Sequence, residues 1–241
     1  MRSDGRKNFN IRETQIQINS SKHADGSCTI SCGDTKIICT ATIEDNVPPF
    51  LRKSGLGWVT AEYGMLPRST GSRMKREAAS GKQSGRTLEI QRLIGRSLRT
   101  CVDRSCLGER QIIIDCDVLQ ADGGTRCASI TGGWVALKLA IEKMIGEGKF
   151  SEDPILHQIA AVSCGIIEGV PMVDLNYYED SNADLDSNFV MNEQKEFVEV
   201  QCTAEQAPLK RTELEKLCDL ATYGINELLK IQKESLNLEK V

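Results

Sequence analysis

In this chain of 241 residues, Leu119-Gln120-Ala121-Asp122-Gly123-Gly124-Thr125-Arg126 is the stretch whose residue types come closest to doing chemistry by themselves. Upstream, Ile112, Ile114, Cys116 and Val118 alternate with Ile113, Asp115, Asp117 and Leu119. That is the period of a strand, read here as mostly buried on both faces. Downstream, Ala128 to Met144 is a nearly all-apolar helical run that includes Ile130, Trp134, Val135, Leu137 and Ile141. The polar residues therefore occupy a glycine turn between a strand and a helix. Gly123 and Gly124 accept backbone angles that a Cβ resists, and Thr125 suits an N-cap. Arg126 then stands in the first helical turn, where unpaired N–H groups and the positive dipole end attract anions. Its forked donors match phosphate oxygens. The pattern predicts a phosphate pocket. The plainer alternative is an ordinary Asp-Gly turn with a solvated arginine, and the neighbouring chain has to separate the two.

The neighbouring chain is basic. Pro67 to Gly85 has neither helical nor strand period and carries Arg68, Arg73, Lys75, Arg76 and Lys82 among glycines and serines. Nineteen residues exceed most structureless connections, which usually marks function or mobility. Arginines spaced in this way suit a nucleic-acid backbone that orders the loop on binding; a contact with another subunit is the alternative. Thr87 to Val102 follows as an amphipathic helix, with Ile90, Leu93, Ile94, Leu98, Cys101 and Val102 on one face. Arg92, Arg96 and Arg99 form a stripe on the other, Ser84 or Thr87 can cap the helix, and Arg86 stands at its start. RNA, or an acidic surface of another copy, is the partner such a stripe fits.

Charge is segregated along the chain although the net value is only −4. Arg68 to Arg110 holds eleven Lys and Arg against four acids, whereas Asp174 to Glu205 holds nine acids against Lys195 alone. A basic band and an acidic band point to a polyanion on the first and a divalent cation on the second. Hydrophobic residues at 40% and charged residues at 27% are ordinary for a soluble globular protein. No apolar run spans a bilayer and Met1-Arg2-Ser3-Asp4 begins no cleavable signal, so a cytoplasmic location is expected. Ten cysteines include no Cys-x-x-Cys pair and fall mostly in strand-like segments, which predicts reduced core thiols. His23 and His157 stand far apart, which leaves a zinc site or a serine–histidine triad without support.

The remaining elements predict one α+β domain over residues 1–241, with mixed β-sheets packed against helices. Residues 9–19 and 26–43 read as three strands, Trp58 to Tyr63 as a fourth, and Ile159–Ile167 and Val170–Asn176 as a pair joined by Glu168-Gly169. Tyr177 to Asp186 interrupts with acids, and strands at 187–192 and 196–203 follow. A last helix starts at a capping box of Thr212 and Glu215, and a polar tail from about Glu234 is expected to fray.

Four ordered motifs and the opening Arg2-Ser-Asp-Gly-Arg6 resemble the ribonuclease PH family over nearly the whole chain. They are Leu66-Pro67-Arg68-Ser-Thr-Gly-Ser-Arg73-Met-Lys-Arg76-Glu77, Gly85-Arg86-Thr-Leu-Glu-Ile-Gln-Arg92-Leu-Ile-Gly-Arg96, Leu119 to Arg126, and Glu179-Asp180-Ser with Asp186. The resemblance implies a phosphorolytic exoribonuclease that trims the 3′ ends of tRNA precursors and other RNAs. It also implies a homohexameric ring, a trimer of dimers. Carried over by motif, Arg86, Gly124, Thr125 and Arg126 would hold inorganic phosphate, and Asp180 and Asp186 would bind Mg2+ and support the chemistry. Arg68, Arg73 and Arg76 would belong to the loop that meets RNA. The chain departs from the family pattern at Val200-Gln201-Cys202-Thr203-Ala204-Glu205-Gln206, where glycines are expected at 202 and 206, and at Cys127 beside the turn. Two rivals make other demands. A catalytically silent RNA-binding subunit of an exosome-like ring should have lost the phosphate arginines or the paired aspartates. An ATP-binding kinase should show Gly-Lys-Ser/Thr after its turn.

Overall fold

The computed structural model describes residue 2, residues 4–204 and residues 208–237, so Glu205, Gln206 and the last residues of the tail lie outside it. Two sheets clasp a central helix. The first contains β1 (Thr14–Ile18), β2 (Gly26–Cys32), β3 (Thr35–Glu44), β4 (Trp58–Met65) and β5 (Gln111–Gln120), in the order β1-β2-β3-β5-β4. Its neighbours are antiparallel except β4 and β5, which run parallel because α2 (Gly85–Thr100) carries the chain back between them. The second is antiparallel, with β6 (Ile159–Ile167), β7 (Val170–Val173), β8 (Leu185–Asn192) and β9 (Phe197–Ala204) in the order β7-β6-β8-β9.

The central helix is α4 (Thr125–Gly146), buried along nearly its whole length because both sheets pack on it. One core joins its Ile130, Val135, Leu137 and Ile141 to the first sheet and to Leu93, Ile94 and Leu98 of α2. Another joins Ala160, Val162 and Cys164 of β6 to Leu217, Ala221 and Ile225 of α6 (Arg211–Asn237). The strand buried on both faces is therefore β6, with α4 on one side and α6 on the other. In β5, by contrast, Ile112, Ile114, Cys116 and Val118 are buried, while Ile113 and Asp115 are half-buried and Asp117 is exposed. Ten free cysteines agree with the expected reduced thiols, Cys106 and Cys202 being the exposed ones.

Several boundaries move for identifiable reasons. β1 begins at Thr14, not residue 9, because the Arg12 backbone N–H donates to the Asp174 carboxylate (2.6 Å) instead of to a ladder. β7 stops at Val173, as Asp174 takes a left-handed backbone (φ 54°). The basic loop contains one helical turn, α1 (Glu77–Ser80), and α3 (Arg104–Leu107) is another short turn. α2 begins two residues before its expected start, capped by Ser84, whose hydroxyl accepts from the Thr87 N–H. α6 starts at Arg211 rather than at a Thr212 cap, since the Glu213 carboxylate reaches back to the Lys210 N–H (3.0 Å). It continues to Asn237, with Ser235 buried and Leu236 packed on the main core, so the chain does not fray at Glu234.

Candidate active site

The turn after β5 and the acidic segment after β7 meet backbone to backbone. Gly123 (φ 74°) approaches the chain at 175–177 so closely that an added Cβ would lie 2.6 Å from the Leu175 carbonyl oxygen. Only glycine combines that angle with that contact. Thr35 braces the turn from β3, accepting from the Asp122 N–H (2.9 Å) and donating to the Gly123 carbonyl (2.7 Å). The Asp122 carboxylate in turn accepts the Tyr177 N–H (3.2 Å). These contacts bring two segments more than fifty residues apart to the walls of one cleft of about 980 Å³. Arg86, Gly124, Thr125, Arg126, Asp180 and Asp186 all line it, as do Thr70, Ser72, Ser163, Tyr177 and Asn188.

On the phosphate side, Gly124 (φ 66°) is the N-cap and Thr125 is the first residue of α4. The expected threonine cap does not form because Gly124 holds the N-cap position, and the Thr125 hydroxyl pairs instead with Tyr63 OH (2.9 Å). With glycine as N-cap, the first amides of α4 have no side-chain cap, and Gly124, Thr125 and Arg126 line the cleft. Burial pushes the Tyr63 hydroxyl above its ordinary pKa, while Thr125, Arg86 and Arg126 oppose the shift. Both guanidiniums therefore act on the same hydroxyl. Arg86 is exposed at the start of α2. Arg126 is half-buried and donates to Gln201 Oε1 (3.1 Å), with Glu89 at 3.5 Å. Cys127 is buried, donates to Asn188 Oδ1 (3.2 Å), and is pushed by burial up to about 12. It is a packed thiol rather than a reactive one.

On the carboxylate side, Asp186 lies on β8, between Gly165 of β6 and Thr203 of β9. Asp180 lies on no strand; it belongs to α5 (Tyr177–Ser181), a single helical turn. Asn176 and Glu179 close the turn as a reciprocal capping box, with bonds of 2.9 and 3.0 Å. Desolvation by the cleft walls raises the Asp180 carboxyl and the nearby Asp186 charge raises it further, against Arg86, Arg126 and Arg12. Two mutually repelling carboxylates under two arginines are a hard oxygen donor pair. Among the described residues no cluster of three or more His, Cys, Asp or Glu could hold a metal. The pair fits an ion that keeps waters or borrows substrate oxygens, which is the habit of Mg2+.

Behind the cleft lies a buried network that motif reasoning missed, apart from quoting its arginines at 2 and 6. Arg2 grips Glu179 with two parallel bonds (2.7 and 2.6 Å) and donates to the Val173 and Asp174 carbonyls (both 2.8 Å). Arg12 holds both oxygens of Asp174 (2.7 and 3.0 Å) and donates to the Asp122 carbonyl. Burial opposes the charge on Asp174, yet Arg12, its hydrogen bonds and Arg6 hold the carboxyl below its ordinary value. Nothing in the spacing of Arg12 announces burial; only the opening motif hinted at a role for this segment.

Arg68, Arg73 and Arg76 are exposed on the loop whose Thr70, Gly71, Ser72 and Met74 line the cleft mouth, and Arg68 donates to the Gly71 carbonyl (3.1 Å). Arg92 is exposed on α2. Arg96 pairs with Glu199 of β9 (2.7 Å). Arg99 stacks on Trp58 (3.9 Å) and donates to the Val59 carbonyl (2.6 Å), so its guanidinium is engaged within the fold.

Known proteins resemble this chain over nearly its whole length. Residues 10–141 match the model for domain 1 of the 3′ exoribonuclease family and residues 157–224 match domain 2. Ribonuclease PH of Cereibacter sphaeroides is 61% identical over 236 residues, covering 98% of this chain and 100% of its own length. The enzyme of that name from Neisseria meningitidis is 60% identical over 227 residues, 94% of each chain. Rice Rrp46 shares the fold at a TM-score of 0.79 and 16% identity, over 98% of this chain and 100% of its own. The Archaeoglobus fulgidus exosome with RNA bound to the active site reaches 0.79 at 20% identity, over 97% and 92%. With both domain models matched and full-length identity of 61% to a curated relative, this chain belongs to the ribonuclease PH family of 3′ exoribonucleases.

Proposed function

We propose that the cleft phosphorolyses RNA from its 3′ end, trimming tRNA precursors and other RNA 3′ ends with inorganic phosphate and releasing nucleoside 5′-diphosphates. The observation that carries the reading is the shared cleft: two arginines and an uncapped helix N-terminus face two carboxylates. Phosphorolysis must bring a phosphate anion up to a phosphodiester anion. Unit charges ~4 Å apart repel by ~4 kcal/mol at an effective dielectric of ~20, so cations have to offset the approach. Arg86, Arg126 and the first amides of α4 supply that offset and hold one phosphate in line. A phosphate oxygen forms a bond to the terminal phosphorus, the bond to the preceding 3′-oxygen breaks, and that oxygen leaves with the electron pair and takes a proton. No histidine base is required, because the nucleophile is already an anion.

Asp180 and Asp186 would hold Mg2+, which offsets charge on reacting or leaving oxygens. The same carboxyls could instead deliver the proton to the 3′-oxygen, and a magnesium titration of turnover separates the two roles. Arg68, Arg73, Arg76 and Arg92 are exposed and would track the RNA backbone toward the cleft. A homohexamer built as a trimer of dimers, working in the cytoplasm, belongs to the same proposal. Among the described residues no helix is long and apolar enough to cross a membrane. The silent-subunit rival is weakened by the presence of all four charged groups in the cleft, and its exosome neighbours share the fold alone.

The test is product identity. Purified protein with a short 3′-extended RNA should release nucleoside diphosphates only when phosphate is present. Equal release of monophosphates with and without phosphate would overturn the assignment.

A further inference from the structure

The motif at Val200–Ala204 is a sequence feature that the phosphate, metal and RNA assignments leave unused. Its Gln201 is half-buried on β9, on the same strand face as Glu199. Arg126 Nη1 donates to Gln201 Oε1 (3.1 Å), Gln201 Nε2 donates to Glu89 Oε1 (3.2 Å), and Glu89 Oε2 lies 3.5 Å from Arg126. Two residues back along β9 and two turns along α2, Glu199 accepts from Arg96 (2.7 Å). Two polar bridges at matched spacing therefore join α2, which carries Arg86 in its first turn, to β9 of the second sheet, and Arg126 of the central helix joins the one formed by Glu89 and Gln201.

We infer that Gln201, seated by Glu89, is a positioning residue that fixes the Arg126 guanidinium in the cleft and so sets affinity for phosphate. The inference rests on the phosphorolytic reading of the cleft. An arginine side chain has several rotatable bonds, and ordering it costs affinity unless the free protein has already done so. A neutral amide suits that task, because it offers an acceptor without cancelling the charge the phosphate needs. Glu89 stands farther off, in an ion pair of 3.5 Å with Arg126, so its carboxylate offsets the guanidinium charge less than a hydrogen-bonded one would.

Gln201→Met keeps length and shape but loses the acceptor for Arg126 together with the donor to Glu89. It should raise the KM for phosphate about fivefold, the weight of one hydrogen bond, while the KM for RNA and the thermal midpoint stay within error. Arg126→Lys should raise the phosphate KM on its own, and Gln201→Met added to it should change nothing further, because Gln201 acts through the guanidinium. An unchanged phosphate KM in Gln201→Met, or a full additional loss in the double variant, would overturn the inference. If Arg126→Lys also left the phosphate KM unaltered, the phosphate reading itself would fail instead.

Discussion

The cleft has a front and a back built from the same residue types in opposite circumstances. At the back, Arg2, Arg12, Asp174 and Glu179 are buried, and each charge meets its counter-charge at 2.6–3.0 Å. At the front, Arg68, Arg73, Arg76 and Arg86 are exposed and none forms an ion pair among the described residues, while half-buried Arg126 meets Glu89 at the longer distance of 3.5 Å. A buried arginine without a partner would cost too much, so the back can only be a brace. An exposed cation keeps its solvation and can exchange it for a phosphate oxygen, so the front can bind. Position in the fold, not residue type, separates the cations that brace the fold from those left open to an anion.

Breaking the front at its centre should have the largest effect. Arg126→Ala should lower phosphate-dependent turnover about a hundredfold or more, the scale of losing a preorganised donor to developing charge, while RNA affinity in a filter-binding assay stays largely intact. Asp186→Asn should remove magnesium-dependent activity and leave the oligomer together on size exclusion; full activity would show that the carboxylates are misassigned.

Breaking the back should act on stability first. Asp174→Asn leaves Arg12 buried and half-paired, which should cost about 3–5 kcal/mol in a denaturant titration. Because the folded carboxyl of Asp174 lies below its unfolded value, its contribution is present above pH ~4 and disappears as pH falls through the folded value. The acid limb of the wild-type stability curve should therefore be steeper than that of the variant. Parallel limbs would mean that Asp174 is not the charge the brace depends on.

Removing loop charges should matter less. The double variant Arg73→Ala with Arg76→Ala should weaken RNA binding severalfold, lower the slope of log affinity against log salt by about 1.4, and leave the phosphate KM alone. The smallest effect concerns Cys127. Its thiol, pushed up to about 12, should resist alkylation near neutral pH until the protein unfolds. Rapid labelling of the native protein would place it in the cleft rather than in the core.

What the amino-acid sequence disclosed follows the same division. The front was legible, because a glycine turn before an apolar helix and arginines in a Gly/Ser loop advertise their solvation locally. The α+β class, the buried central helix and the amphipathic α2 were legible from periodicity. The back was not, since Arg12 and Asp174 meet across 162 residues and neither carries a local signal. Short-range patterns also misplaced Thr125, whose hydroxyl is taken by Tyr63, and Arg99, which is held by Trp58. In both cases a tertiary partner holds the side chain. In β5 an apolar alternation does not say how many faces are covered, and α6 packs on β6 instead.

The most direct test is the position of phosphate itself in a crystal grown or soaked with it. One phosphate should be found within hydrogen-bond reach of both the Arg86 and Arg126 guanidiniums and the first amides of α4, across the cleft from Asp180 and Asp186. Two phosphates, each on its own arginine, or one held by the loop arginines alone, would contradict a shared site.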